Sequence, residues 1–224
     1  MADRFQIHLI TDRKGATGAG PVSVARAALR GGVDWVQLRD KAAPACDTFE
    51  AARSILPAAR HGGAGLIVND RVDVAMAVGA DGVHLAGKSL PPDAARALLG
   101  KGQLLGISVH GLGEAREAVE AGVDYVTFGH VYPTRSKPGL PPRGILELAE
   151  IVESVEVPVL AVVGIDTRNV HDVLGTGCAG IAVISAIGGA RDPESEARRF
   201  RRALDASGLS PRHPFQALTQ RGAR

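Results

Sequence analysis

The chain has 224 residues, enough for one α/β domain with a sizeable core and too few for a second. Its 26 basic and 24 acidic side chains leave a formal charge of +2, which excludes the broad electropositive footprint of a nucleic-acid or membrane-surface binder. The two cysteines, Cys46 and Cys178, are too few for a disulfide framework or a thiolate metal site and read as small buried residues; no apolar run reaches the length of a membrane span.

Met1 leads directly into the alternating Phe5-Gln6-Ile7-His8-Leu9-Ile10 with no basic-then-apolar leader, a pattern expected of a cytoplasmic protein. Short β-branched runs recur at Phe5–Thr11, Trp35–Arg39, Gly65–Asn69, Gly82–Leu85, Leu104–Ser108, Tyr125–Phe128, Val159–Val163 and Gly180–Ile184. Segments of helical spacing, such as Ala45–Arg60, Gly113–Ala121 and Ile145–Val155, separate them. Strict alternation calls for a parallel sheet, and eight units close it, so the expected fold is a single (β/α)₈ TIM barrel.

A repeat supports the count. Gly32-Val33-Asp34-Trp35-Val36, Ala80-Asp81-Gly82-Val83, Gly122-Val123-Asp124-Tyr125-Val126 and Gly177-Cys178-Ala179-Gly180-Ile181 recur at the length of two strand-helix units and mark the even strands. In each copy a Gly ends the preceding helix, and a small or acidic residue opens the strand at the barrel floor. The barrel is expected over residues 1–206. From Ser207 the apolar period fades, so residues 207–224 read as a polar, flexible tail. Lys14–Gly20 and Pro133–Arg143 read as mobile rim loops on the catalytic face.

Barrel chemistry sits at the carboxyl ends of the strands. The second strand sends Gln37 and Arg39 into the mouth, and an Arg there needs an anion or an internal carboxylate. Asn69 and Asp70 close the third strand, where either could cap the next helix or meet a metal or substrate. Ser108 and His110 end the fifth strand and His130 follows the sixth, so two imidazoles that titrate near neutrality could reach one mouth. His8 and His84 read as core residues. After the seventh and eighth strands, Gly164 permits close backbone approach, and the amides after Ile184 and at Ser185 can form an anion-binding nest.

From Leu9-Ile10-Thr11-Asp12 to Ile184-Ser185-Ala186-Ile187 the chain resembles the superfamily of thiamine phosphate synthase and thiazole tautomerase. The signature is carried by Val36-Gln37-Leu38-Arg39-Asp40-Lys41, Val68-Asn69-Asp70-Arg71, Gly82-Val83-His84-Leu85 and Gly129-His130-Val131-Tyr132-Pro133-Thr134 together. In the synthase, the resemblance implies magnesium on Asp70 and on a second Asp in the turn after strand four; that turn here reads Ala86-Gly87-Lys88-Ser89. The run Gly139-Leu140-Pro141-Pro142-Arg143-Gly144 resembles the tautomerase branch. Gln37, Arg39, Lys41, Asn69, Thr134, Ser136 and Lys137 match the pyrophosphate-handling positions of the synthase, with Ser108 as a further substrate contact.

The expectation drawn from the missing carboxylate is a cofactor-independent thiazole tautomerase, an isomerase that aromatises a carboxythiazole phosphate, with His130 as acid/base and His110 assisting. The alternatives are a magnesium-dependent synthase with Asp70 as metal ligand, and a ligand-binding barrel without chemistry. A phosphorylated thiazole is the expected small-molecule partner, with self-association possible as in related barrels. Val163 stands where both branches carry Gly.

Overall fold

The computed structural model describes residues 4–12, 18–134 and 139–215. Eight parallel strands close into one barrel in sequence order: β1 (Gln6–Ile10), β2 (Trp35–Leu38), β3 (Gly65–Asn69), β4 (Gly82–Leu85), β5 (Leu104–Val109), β6 (Tyr125–Phe128), β7 (Val159–Val162) and β8 (Gly180–Val183). The helices are α1 (Pro21–Arg30), α2 (Ala45–His61), α3 (Val72–Val78), α4 (Pro92–Leu98), α5 (Leu112–Glu120), α6 (Gly144–Ser154), α7 (Val170–Leu174), α8 (Ser185–Gly188) and α9 (Pro193–Asp205). The (β/α)₈ barrel read from the sequence is therefore present, with strand limits within a residue of those expected. Among the described residues no helix is long and apolar enough to cross a membrane.

Period-two geometry divides each strand between two cores. Val36, Leu38, Leu66 and Val68 face the helices, while Trp35, Ile67, Leu104, Tyr125 and Leu160 fill the barrel. The repeat has a physical cause at the floor. Gly32, Gly79, Gly122 and Gly177 all adopt positive φ, which lets the chain turn out of a helix where other residues would be strained. Asp34, Asp81 and Asp124 then accept backbone N–H groups of Ile7, Leu66 and Leu105 at 2.8, 2.8 and 2.7 Å, tying each even strand to the odd strand before it.

Two expectations change. Cys46 is exposed, because it sits in the first turn of α2 opposite the face that buries Thr48, Ala52, Ile55 and Ala59; Cys178 is buried, which pushes its thiol up to about 11. The segment after α9, read as a tail, stays on the barrel as far as Phe215. Arg212 donates its N–H to the Gly177 carbonyl at 2.9 Å, and Phe215 is 5% exposed. Its ring lies 5.0 Å from His8, 5.3 Å from Trp35 and 5.1 Å from Tyr125, closing the barrel floor. The remainder of the expected tail lies outside the described residues.

Candidate active site

A cavity of about 690 Å³ opens at the carboxyl ends of the strands. Its wall includes Arg39, Lys41, Thr134, Gly164, Ile184 and Ser185, so segments following β2, β6, β7 and β8 converge on one chamber. Asp12, Asp166 and Ile165, which the sequence did not single out, complete much of the rim. Arg39 is set by its backbone: it donates N–H to the Thr11 hydroxyl at 2.9 Å, and that hydroxyl donates to the Arg39 carbonyl at 3.2 Å. The Arg39 side chain is half-buried on the cavity wall, which Asp12 and Asp166 also line.

Gln37 is buried inside the barrel and Ser108 is half-buried near its mouth; neither lies on the cavity wall. Asn69 and Asp70 do not cap α3, whose N-cap is Arg71 with no side-chain bond. Instead Asn69 donates Nδ2–H to Asp70 Oδ2 at 2.5 Å, and the Ser89 hydroxyl donates to Oδ1. Asp70 holds φ 61°, a left-handed conformation that Asp tolerates better than most residues. Among the described residues no group of three His, Cys, Asp or Glu side chains could hold a metal. The donor set is thus one carboxylate with a hydroxyl beside it, all hard oxygen. That suits magnesium when substrate phosphates supply further ligands, and does not suit a fully protein-built cage.

The two imidazoles expected to share the mouth do not meet there. His130 is 4% exposed and donates Nε2–H to the Leu140 carbonyl at 3.3 Å, so the run that follows β6 ties up its ring. His110 is exposed, and Glu114, one turn into α5, takes its Nδ1 at 3.2 Å. Neither lines the cavity. His84, by contrast, is fully enclosed, and burial pushes it down to about 3. Ser136 and Lys137, and most of the Lys14–Gly20 loop, lie outside the described residues.

After β7 the backbone turns through two left-handed residues, Val163 at φ 72° and Gly164 at φ 81°. A Cβ on Gly164 would come within 2.6 Å of the Tyr132 carbonyl oxygen, so only glycine fits. Asn169, also missed in the sequence, donates Nδ2–H to the Gly164 carbonyl at 2.9 Å and accepts the Asp166 N–H at 2.9 Å, bracing the turn. Val163 is the strained member, because a β-branched residue is disfavoured at positive φ. Val163→Gly is expected to stabilise the chain by about 1 kcal/mol through relief of that strain, read as a higher thermal midpoint; a lower midpoint would show that the Val side chain contributes more by packing.

A parallel barrel whose cavity at the carboxyl strand ends is lined by basic side chains and glycine-rich turns is the architecture of α/β-barrel enzymes, whose active sites form on that face. The chain belongs to the thiamine monophosphate synthase family, whose sequence profile matches residues 7–187. It is 47% identical over 195 residues to a putative thiamine-phosphate synthase of Geobacter sulfurreducens, covering 87% of this chain and 92% of that protein. It is 44% identical over 207 residues to a thiamine-phosphate synthase of Roseiflexus sp., covering 92% and 87% respectively. The solved structure of a thiamine phosphate pyrophosphorylase from Pyrococcus furiosus superposes with a TM-score of 0.84 at 38% identity, over 91% of this chain and 97% of that one.

These relationships overturn the tautomerase expectation and with it the isomerase class. Relatives this similar, over nearly the whole chain, carry the synthase name.

Proposed function

We propose that the chain is a magnesium-dependent thiamine phosphate synthase, a transferase acting on hydroxymethylpyrimidine diphosphate and thiazole phosphate. The observation that carries this reading is that one cavity is lined both by basic side chains and by the backbone turns after β7 and β8. Arg39 and Lys41 stand on the β2 side, and Gly164, Ile184 and Ser185 on the β7–β8 side. A substrate with a single anionic group would occupy only one of them.

In the proposed reaction the thiazole ring nitrogen attacks the pyrimidine methylene carbon. The new C–N bond forms as the C–O bond to diphosphate breaks, and the electron pair leaves with the diphosphate. Arg39 and Lys41, with Lys137 from the loop after β6, meet that growing negative charge by charge-assisted hydrogen bonds. Asn69 and Ser108, half-buried near the ends of β3 and β5, orient the first substrate. Thr134 and Ser136 serve the diphosphate from the loop after β6, while the amides around Gly164, Ile184 and Ser185 hold the thiazole phosphate. Magnesium would be held by Asp70, beside the Ser89 hydroxyl, and when bound supplies Lewis-acid neutralisation of the leaving diphosphate.

Incubating the purified chain with both substrates and Mg²⁺ is expected to yield thiamine phosphate and inorganic diphosphate in equal amounts, and EDTA is expected to stop the reaction. Binding of thiazole phosphate with no product under those conditions would leave the non-catalytic barrel in its place.

A further inference from the structure

Below the mouth, three neighbouring strands carry a connected set of polar side chains. His84 of β4 places Nδ1 2.9 Å from the Tyr125 hydroxyl of β6 and Nε2 2.9 Å from the Ser108 hydroxyl of β5. Thr127 of β6 donates to Ser108 at 3.2 Å and lies 3.4 Å from His84 Nε2. The registers produce this: His84 pairs with Gly106, Gly106 with Tyr125 and Ser108 with Thr127. Gly106 is required, because a Cβ there would lie 2.1 Å from the Tyr125 ring. His84, Tyr125 and Thr127 are buried, and Ser108 is the one member that reaches partial exposure at the mouth.

Proton counting fixes the direction of these bonds. A buried imidazole between hydroxyls is neutral and carries one N–H. The Tyr125 phenol, kept protonated by burial, is a stronger donor than acceptor and gives its proton to Nδ1. The imidazole proton therefore sits on Nε2 and is donated to Ser108 Oγ. With Thr127 donating as well, two donors meet Ser108 Oγ, which leaves its own proton for an acceptor in the mouth.

We infer that His84, set by Tyr125, is a positioning residue that makes Ser108 an obligate hydrogen-bond donor to substrate. Ser108 then selects a ligand atom that accepts and carries no hydrogen, whether a ring nitrogen of the pyrimidine or an oxygen of the diphosphate. The assignment deepens the synthase reading and rests on it for its role in turnover; the proton arrangement itself does not depend on that reading.

The direct test is ¹H–¹⁵N correlation of the imidazole rings in the ligand-free chain. His84 is expected as the neutral form protonated at Nε2, and the Tyr125→Phe variant as a mixture of both tautomers. A proton on Nδ1 in the parent protein overturns the inference whatever reaction the chain catalyses. The kinetic arm uses Tyr125→Phe, which removes one oxygen and keeps the ring. It is expected to lower kcat/KM about tenfold when Ser108 is present and less than about twofold in a Ser108→Ala background, the size of one hydrogen bond lost through a shared partner. Additive losses would make Tyr125 and His84 merely structural. Titrating Ser108→Ala with inorganic diphosphate and, separately, with the pyrimidine diphosphate tells a phosphate acceptor from a ring acceptor; weakened binding of either supports the donor role, and unchanged binding of both contradicts it.

Discussion

Replacing Asp70 by Asn is expected to lower the rate of thiamine phosphate formation by about 10²–10³, the usual cost of removing one preorganised electrostatic contact to a developing charge. Asn suits this test because it has nearly the same size and, like Asp, tolerates the left-handed backbone at φ 61°. Its amide oxygen can still accept from Ser89 or from Asn69, so the turn after β3 keeps one of the two bonds this side chain accepts. What disappears is the negative charge, and with it the only carboxylate in the donor set proposed for magnesium. Circular dichroism should match the parent while steady-state rates fall; a variant within about twofold of the parent rate would remove Asp70 from the reaction.

Phe215→Ala is expected to cost about 3–5 kcal/mol, the range for truncating a buried aromatic, and to lower the thermal midpoint by about 10 °C in a chain of this size. The ring packs on Trp35, Tyr125 and His8 and belongs to the same buried cluster as Ile67, Leu104, Leu160 and Ala179. Burial holds His8 well below its ordinary pKa, so the group is neutral and the ring contacts are apolar. Scanning calorimetry checks the prediction, and a loss under about 1 kcal/mol would return Phe215 to the status of a loosely held tail residue.

The barrel was legible because its information is periodic. Alternation in eight short runs and a fourfold Gly-x-Asp-type repeat both reflect the same backbone requirement at the floor, met by Gly32, Gly79, Gly122 and Gly177 and by three aspartates. Arg39, Lys41, Gly164, Ile184 and Ser185 were legible because a strand's end fixes where the next residues must emerge. Ring orientation is not fixed in that way. His130 stands at the end of β6, yet its Nε2 is taken by a carbonyl ten residues further on; His110 emerges after β5, where Glu114 at the start of α5 captures it.

Other roles arise only when separate turns meet. Ser89 acquires meaning by touching Asp70 across two strands, and Asn169 by bridging to Gly164. Phe215 follows a proline-rich stretch without apolar period, so nothing local marks it as core. The missing second carboxylate was visible in the sequence but misleading in consequence: magnesium commonly takes one or two protein carboxylates and completes its shell with substrate phosphates.

The proposed synthase reaction requires two anions in one chamber. A crystal structure of the chain with magnesium, inorganic diphosphate and thiazole phosphate tests that most directly. The diphosphate is expected against Arg39 and Lys41 with the metal on Asp70, and the thiazole phosphate on the Gly164, Ile184 and Ser185 amides in the same cavity. A single anion spanning both sets, or the thiazole phosphate bound elsewhere, would contradict it.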